Sequence, residues 1–285
     1  MDPGPLRDLL TLLAGIGTGV MSAAFGVGGG VVSTPAVRLL GLGAQMAIGT
    51  TLPSILPSAL SGGLRYAREG LVDWHAVRIT VPAGIAASIG GSVLAHALPG
   101  DGHLLMIATA LLLGFTAVRM ARPRRVTGPA EVVAPSGPPD PTTAFGRAGA
   151  GIPAPARPKA ERTRLVAVGT VAGLLSGLLG IGGGVVMVPG FTELARIPLK
   201  TAIATSLVCV GTFAIPGTLA HHFLGGVVWW PWAALLAIGV VPGARLGASL
   251  AIRATDARLR RAIAVFLGLV ALLYFGGETS ALLSA

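Results

Sequence analysis

The sequence predicts an all-α membrane protein, a polytopic helical bundle of two homologous halves, each holding one glycine-broken segment and three spanning helices. Three observations carry that prediction. The 285 residues are 53% hydrophobic and 11% charged, with a mean hydropathy of +0.78, whereas about a quarter of a soluble domain's residues are charged. Apolar runs close to the roughly 20 residues that a spanning helix needs recur along the whole chain. One glycine-rich motif occurs twice: Phe25-Gly26-Val27-Gly28-Gly29-Gly30-Val31-Val32 returns 154 residues later as Leu179-Gly180-Ile181-Gly182-Gly183-Gly184-Val185-Val186. From Gly15 to Pro35 the two copies agree at ten of 21 positions, which marks a duplication.

The runs fall in order at 9–34, 44–64, 74–98 and 103–122, then at 164–190, 200–222, 229–252 and 259–276. The first run of each half carries the glycine cluster, with Pro35 and Pro189 five residues past it and expected to end or kink the segment. The second run opens on Ala47-Ile48-Gly49-Thr50-Thr51-Leu52, answered at an offset of 155 by Ala202-Ile203-Ala204-Thr205-Ser206-Leu207. The third opens at Trp74 and at Trp229, and the tryptophans, including Trp230 and Trp232, read as an interfacial belt. The fourth is flanked by basic clusters, Arg119 to Arg125 in one half and Arg253 to Arg261 in the other. Residues 1–122 thus form a first transmembrane repeat and residues 164–285 a second. The proline-rich, basic stretch 123–163 between them cannot bury enough apolar surface to fold and is expected to be a flexible cytoplasmic linker.

The formal net charge of +10 reports topology and not nucleic-acid binding, because the basic residues stand at the ends of apolar runs. If all eight runs crossed with the amino terminus inside, Arg38, Arg196, Lys200 and the Arg253 to Arg261 cluster would face outward. If each glycine-broken segment enters and leaves on one face, only Arg7 and Arg38 lie outside. Each half then has three full spans, an odd number, so the second half is inverted relative to the first, a recurrent transporter architecture. An arrangement in which only the second broken segment re-enters distributes the charges about as well.

Gly26, Gly28, Gly29 and Gly30, with Gly180, Gly182, Gly183 and Gly184, mark breaks whose freed N–H groups and helix dipoles suit a small oxyanion. The competing reading is close helix–helix contact. Ser22, Thr51, Ser176 and Ser206 flank the breaks as uncharged donors, or bond their own helices. Arg245, thirteen residues beyond Trp232 inside an apolar run, is an intramembrane cation that could add charge to the site or snorkel to the surface. All eleven acidic residues fall in loops, tails or span ends, which disfavours a cation relay through a buried carboxylate. Cys209 is the only cysteine, so no intrachain disulfide forms, and it reads as a packing residue. No nucleophile–base pair, metal cluster or nucleotide loop stands out, so neither an enzyme nor a cofactor is expected.

These features together resemble the sulfite exporter TauE/SafE family of membrane permeases. The resemblance rests on the duplicated Gly-x-Gly-Gly-Gly segment before a proline, the paired Ala-Ile-Gly-Thr-Thr-Leu and Ala-Ile-Ala-Thr-Ser-Leu runs, the tryptophan opening each third segment and the basic linker. It implies a secondary transporter moving sulfite or another small organosulfur anion across the inner (cytoplasmic) membrane. The expected partners are the lipid bilayer and that anion, with homo-oligomers left open. A passive anion channel or a membrane assembly factor without a transport cycle is the alternative.

Overall fold

The structure, a computed structural model, describes residues 4–97, 103–121, 159–179, 182–223 and 228–283. Gly180 and the expected linker up to residue 158 lie outside the described residues. Every regular element among the described residues is helical. The first half holds α1 (Pro5–Phe25), α2 (Gly30–Leu39), α3 (Ala44–Arg68), α4 (Trp74–Ala97) and α5 (His103–Ala121). The second holds α6 (Lys159–Leu179), α7 (Gly184–Pro189) running into a π-helical turn (Gly190–Leu194), α8 (Leu199–Phe223), α9 (Trp230–Arg253) and α10 (Asp256–Leu283).

Local chemistry sets the ends of these helices. Pro5 starts α1 at a position that needs no N–H donor, with Asp8 in the first turn. Gly26 ends α1 in the left-handed conformation at φ +67°, its N–H bonded to the Ser22 carbonyl at 2.8 Å. Pro35 does not end its segment, because α2 continues to Leu39. Pro189 is the last residue of α7, and the chain continues into the π turn, which the Ala195 N–H closes on the Gly190 carbonyl at 3.3 Å. α6 begins at Lys159, ahead of the apolar run that starts at 164. Its first turn is charged, with Glu161 favourably placed near the amino end, and hydropathy does not register such a turn.

Among the described residues α1, α4, α6, α8, α9 and α10 are long and apolar enough to cross a membrane. The chain is a polytopic helical membrane protein. α3 has the length, 25 residues, but its apolar content is diluted by the buried hydroxyls of Thr50, Thr51, Ser54, Ser58 and Ser61. α1 and α6 each have 21 residues, about 31 Å of helix at 1.5 Å per residue, so the helix before each break is itself of spanning length.

After each break the chain turns back along the helix it has just left. In the second half Gly183 lies against Ala172 and Ser176, Gly190 against Val168, and Arg164 donates to the Leu194 carbonyl at 3.2 Å. In the first half Gly29 lies against Thr18, and Leu40 and Gly41 share a cavity with Arg7 at the start of α1. Arg119 of α5 pairs with Glu193 to hold the π turn.

The two halves interlock by exchanging first helices. Gly239, Gly243 and Gly247 of α9 meet the backbone of Leu12, Ile16 and Val20 in that order, so α1 and α9 run in the same direction. α6 meets α4 in the same way, with Gly169, Gly173 and Gly177 against Thr80, Gly84 and Ser88. Small residues at these seams let the helix backbones touch, and that contact supplies the dispersion energy which replaces a hydrophobic driving force in lipid. Two matched hydrogen bonds brace the exchange: the Trp229 N–H donates to Thr50 Oγ1 and the Asp73 N–H to Thr205 Oγ1, both at 3.0 Å. Trp232 is no belt residue. It is 4% exposed, and its indole N–H donates to Asp8 Oδ1 at 3.1 Å, tying α9 to α1. Trp74 and Trp230 are exposed, as an interfacial position requires.

The seam makes a paired prediction on α1. A Cβ at Gly19 would stand 2.8 Å from the Ala244 amide nitrogen, whereas one at Gly17 meets nothing within 4 Å. Gly19→Ala is expected to lower stability by about 1–3 kcal/mol through overpacking. Gly17→Ala should be neutral or slightly stabilising. Thermal unfolding of the two variants in detergent measures the difference.

Candidate functional site

The two glycine breaks meet in the interior of the bundle. Gly26, Gly28, Gly29 and Gly30 and Gly182, Gly183 and Gly184 are all buried. A Cβ on Gly182 would stand 3.5 Å from the Gly28 Cα, and one on Gly184 would strike the carbonyl of Gly26 and the backbone of Val27. Glycine at Gly184 therefore serves close approach of one break to the other. At Gly28 and Gly182 it serves a backbone conformation, φ +86° and +87°, that other L residues rarely adopt. The equivalent pair Gly29 and Gly183 differs: Gly183 has φ +68° but Gly29 has φ −64°.

Donors and acceptors surround this crossing on every side. The Gly29 carbonyl accepts the first bonds of α2, from Val32 at 3.2 Å and Ser33 at 3.1 Å. The N–H groups of Gly30 and Val31, ahead of those bonds, have no partner within the helix ladder. Ser206 of α8 donates across the halves to the Gly26 carbonyl at 3.0 Å, with the Ile203 carbonyl at 2.9 Å as its local acceptor. Ser58 of α3 donates to Ser22 Oγ at 3.3 Å, and Thr34 and Thr51 share a hydrogen bond of 3.1 Å. Tyr66 closes this region from the α3 side by donating to the Ala23 carbonyl at 2.8 Å.

Two hydroxyls beside the breaks are left over. Thr18 Oγ1 and Ser176 Oγ are buried and have no hydrogen-bond partner. Thr18 adjoins Gly29 and Ser176 adjoins Gly183, the two equivalent glycines. A buried hydroxyl without a partner carries a desolvation cost of about 1–3 kcal/mol, and a polar ligand at the break would relieve it. Ser176 is among the residues that the sequence singles out. Thr18 is not, although it lies one helical turn before Ser22 on the same face of α1.

Of the other sequence candidates, Ser22, Thr51 and Ser206 are all brought to the crossing, where they bond protein groups. Arg245 is not. It is exposed on α9 and lines a separate cavity with Ser61, Leu64, Arg65 and Arg68. The reason is rotational: Gly243, Ala244, Gly247 and Ala248 form the buried face of α9, and Arg245 points away from it. The described acidic residues keep to helix ends. Asp8 accepts from Trp232, Glu69 pairs with Arg65 at 2.8 Å, and Asp73 Oδ1 caps α4 through the Ala76 N–H at 3.0 Å.

The halves are chemically unequal along α3 and α8. α3 presents Ser54, Ser58 and Ser61 where α8, at the offset of 155, presents Cys209, Phe213 and Pro216. Cys209 is fully buried among apolar side chains.

Known proteins share this sequence pattern. The family model described as Sulfite exporter TauE/SafE matches residues 11–274. A probable membrane transporter protein of Bacillus subtilis, YunE, is 27% identical over 254 residues, which cover 85% of this chain and 86% of YunE. The probable membrane transporter protein MJ0441 of Methanocaldococcus jannaschii is 23% identical over 92% of this chain and 93% of its own length. The probable membrane transporter protein MamO of Magnetospirillum gryphiswaldense is 29% identical over 88% of this chain. The chain spans only about two fifths of MamO, 42% of its length. No solved structure matches the chain.

The bond from Ser206 to the Gly26 carbonyl yields a stability test. Ser206→Ala removes the side-chain donor to a buried carbonyl and is expected to cost about 1–3 kcal/mol. Thr170→Ala, which removes an exposed hydroxyl bonded to its own helix, should stay within about 0.5 kcal/mol of the parent. Unfolding midpoints in detergent measure both.

Proposed function

The chain belongs to the sulfite exporter TauE/SafE family, and from that premise we propose that it is a secondary transporter carrying a small anion, sulfite or an organosulfur anion, across the cytoplasmic membrane. The observation that carries this reading is the pair of unpartnered buried hydroxyls, Thr18 and Ser176, each beside an equivalent glycine of the two breaks. The oxyanion would be held between the breaks by N–H groups near Gly28, Gly29 and Gly30 and near Gly182, Gly183 and Gly184. Thr18 and Ser176 would complete its shell, and Ser22, Thr51 and Ser206 would set the positions of the surrounding backbone. Backbone N–H and hydroxyl donors, with no carboxylate beside them among the described residues, favour an anion over a cation.

Alternating access requires two halves that trade roles, and the exchanged helices support an inverted pair. α1 and α9 run in one direction and α4 and α6 in one direction, an arrangement that a same-way-up duplication of five helices each would not produce. On this reading the face holding Arg65, Arg68, Arg119, Arg196, Lys200 and Arg253 is cytoplasmic, in keeping with the positive-inside rule. Transport proceeds by rearrangement around a fixed site, with neither ATP nor a chemical step.

A thermal-shift screen of purified protein against sulfite, sulfate, thiosulfate, sulfonates and carboxylates identifies the ligand class, with sulfite or a sulfonate expected to stabilise. Thr18→Val and Ser176→Ala should each weaken that binding roughly tenfold or more without loss of fold. Unchanged affinity in both would remove them from the site. In proteoliposomes, saturable flux is expected. Voltage-driven current without saturation would instead identify a channel, and absence of any anion flux a non-transport role.

A second prediction separates folding from movement at the breaks. Gly29 has an ordinary φ and room for a Cβ 3.4 Å from Thr18 Cγ2. If the halves exchange conformations, Gly29 must take the positive φ now held by Gly183. Gly29→Ala is therefore expected to fold with near-parental stability yet transport at least tenfold more slowly. Gly183→Ala, strained in this state, should lower the unfolding midpoint. Flux and unfolding measured on the same preparations distinguish the two variants.

A further inference from the structure

We propose that Arg65, Arg68 and Arg245 form a binding site for the phosphate headgroup of an anionic phospholipid, on the membrane-facing groove between α3 and α9. The cavity they line with Ser61 and Leu64 has a volume of about 390 Å³, enough for a phosphodiester. Its floor is fixed. Ser61 donates to the Val241 carbonyl at 2.8 Å, Arg65 Nε donates to Ser249 Oγ at 3.4 Å, and Ser249 in turn donates to the Arg245 carbonyl at 2.8 Å. Arg65 is thus held in place on one side by α9 and on the other by Glu69 at 2.8 Å.

Charge and polarity identify the occupant. Three guanidinium groups meet one carboxylate, Glu69, leaving an excess of two positive charges at the cavity. Guanidinium forks match phosphate oxygens in pairs. Leu64 lines the cavity itself, and Leu60, one turn before it on α3, is like Leu64 57% exposed. Leu60, Leu64 and Arg68 follow one another at one-turn spacing, so a single face of α3 passes from apolar to cationic, as acyl chain gives way to headgroup in a lipid. A free inorganic anion would find the charges but have no use for the leucines. Basic pockets between transmembrane helices bind acidic lipid headgroups in this manner. Arg245 stands eight residues before Arg253 at the end of α9, about 12 Å along the helix. A phosphate drawn to that depth accounts for a cation inside an apolar run, and it does so independently of the transported anion.

The test uses the full-length protein in nanodiscs of phosphatidylcholine with and without phosphatidylglycerol, with native mass spectrometry of the detergent-solubilised protein. The parent is expected to unfold several degrees higher with phosphatidylglycerol and to retain bound phosphatidylglycerol. In the triple variant Arg65→Gln, Arg68→Gln, Arg245→Gln both effects should disappear. In the control Arg258→Gln, Arg261→Gln, which removes two charges from exposed positions of α10, both should persist. Equal loss in the control would reduce the effect to general surface charge. Retention of the shift in the triple variant would overturn the site. Competition by millimolar inorganic phosphate, added to the parent, would reassign it to a soluble oxyanion.

Discussion

A helix interrupted at membrane depth exposes N–H and C=O groups that hydrocarbon cannot satisfy, so the interruption survives only if protein surrounds it. This chain contains two such interruptions, and the rest of the fold can be understood as their enclosure. Each break is walled by the helix before it, by α3 or α8, and by the other break. Gly184 rests on the Gly26 carbonyl and Ser206 donates to that same oxygen from the opposite half. Neither half could shield its own break alone.

That mutual dependence accounts for the helix exchange. α1 packs on α9 and α6 on α4 along glycine seams that bring backbone against backbone, and the hydroxyls of Thr50 and Thr205 receive the N–H groups at the start of the partner half's third long helix. Tight seams and matched hydrogen bonds make a frame within which the short returning helices, α2 and α7, are held without being part of it. A rigid frame around short inner segments is a suitable division of labour for the rearrangement that the proposed transport requires.

The fold class and the breaks were legible in the sequence because a cluster of glycines inside a long apolar run is costly for a helix and persists where the backbone has to break. At Gly28 and Gly182 only a residue without a side chain tolerates the backbone, and duplication made the requirement visible twice. Position around a helix axis was harder to read. Arg245 stayed open between a site cation and a snorkelling one because hydropathy averages over all faces, yet the small residues at Gly243, Ala244, Gly247 and Ala248 already marked the buried side, and Arg245 is not on it. Trp232 was hidden in a tryptophan-rich stretch, although its one-turn spacing to Leu236 and Val240 places it on the face that meets α1. Thr18 escaped because its counterpart in the duplication, Ala172, has no hydroxyl, so comparison of the halves gave no signal there.

The unequal hydroxyl content of α3 and α8 has a thermodynamic consequence. A perfectly symmetric pair of halves would give two oppositely facing conformations of equal free energy, and an empty protein would divide itself evenly between them. Here one wall, α3, carries Ser54, Ser58 and Ser61 where the other, α8, carries Cys209, Phe213 and Pro216 at the equivalent positions. Exchanging the environments of those walls cannot leave the energy unchanged, since hydroxyls and apolar groups are solvated differently in each. On the proposed alternating-access cycle the unloaded molecule would therefore rest on one side of the membrane, and the sequence of α3 against α8 would set which side that is and how much of each cycle is spent returning to it.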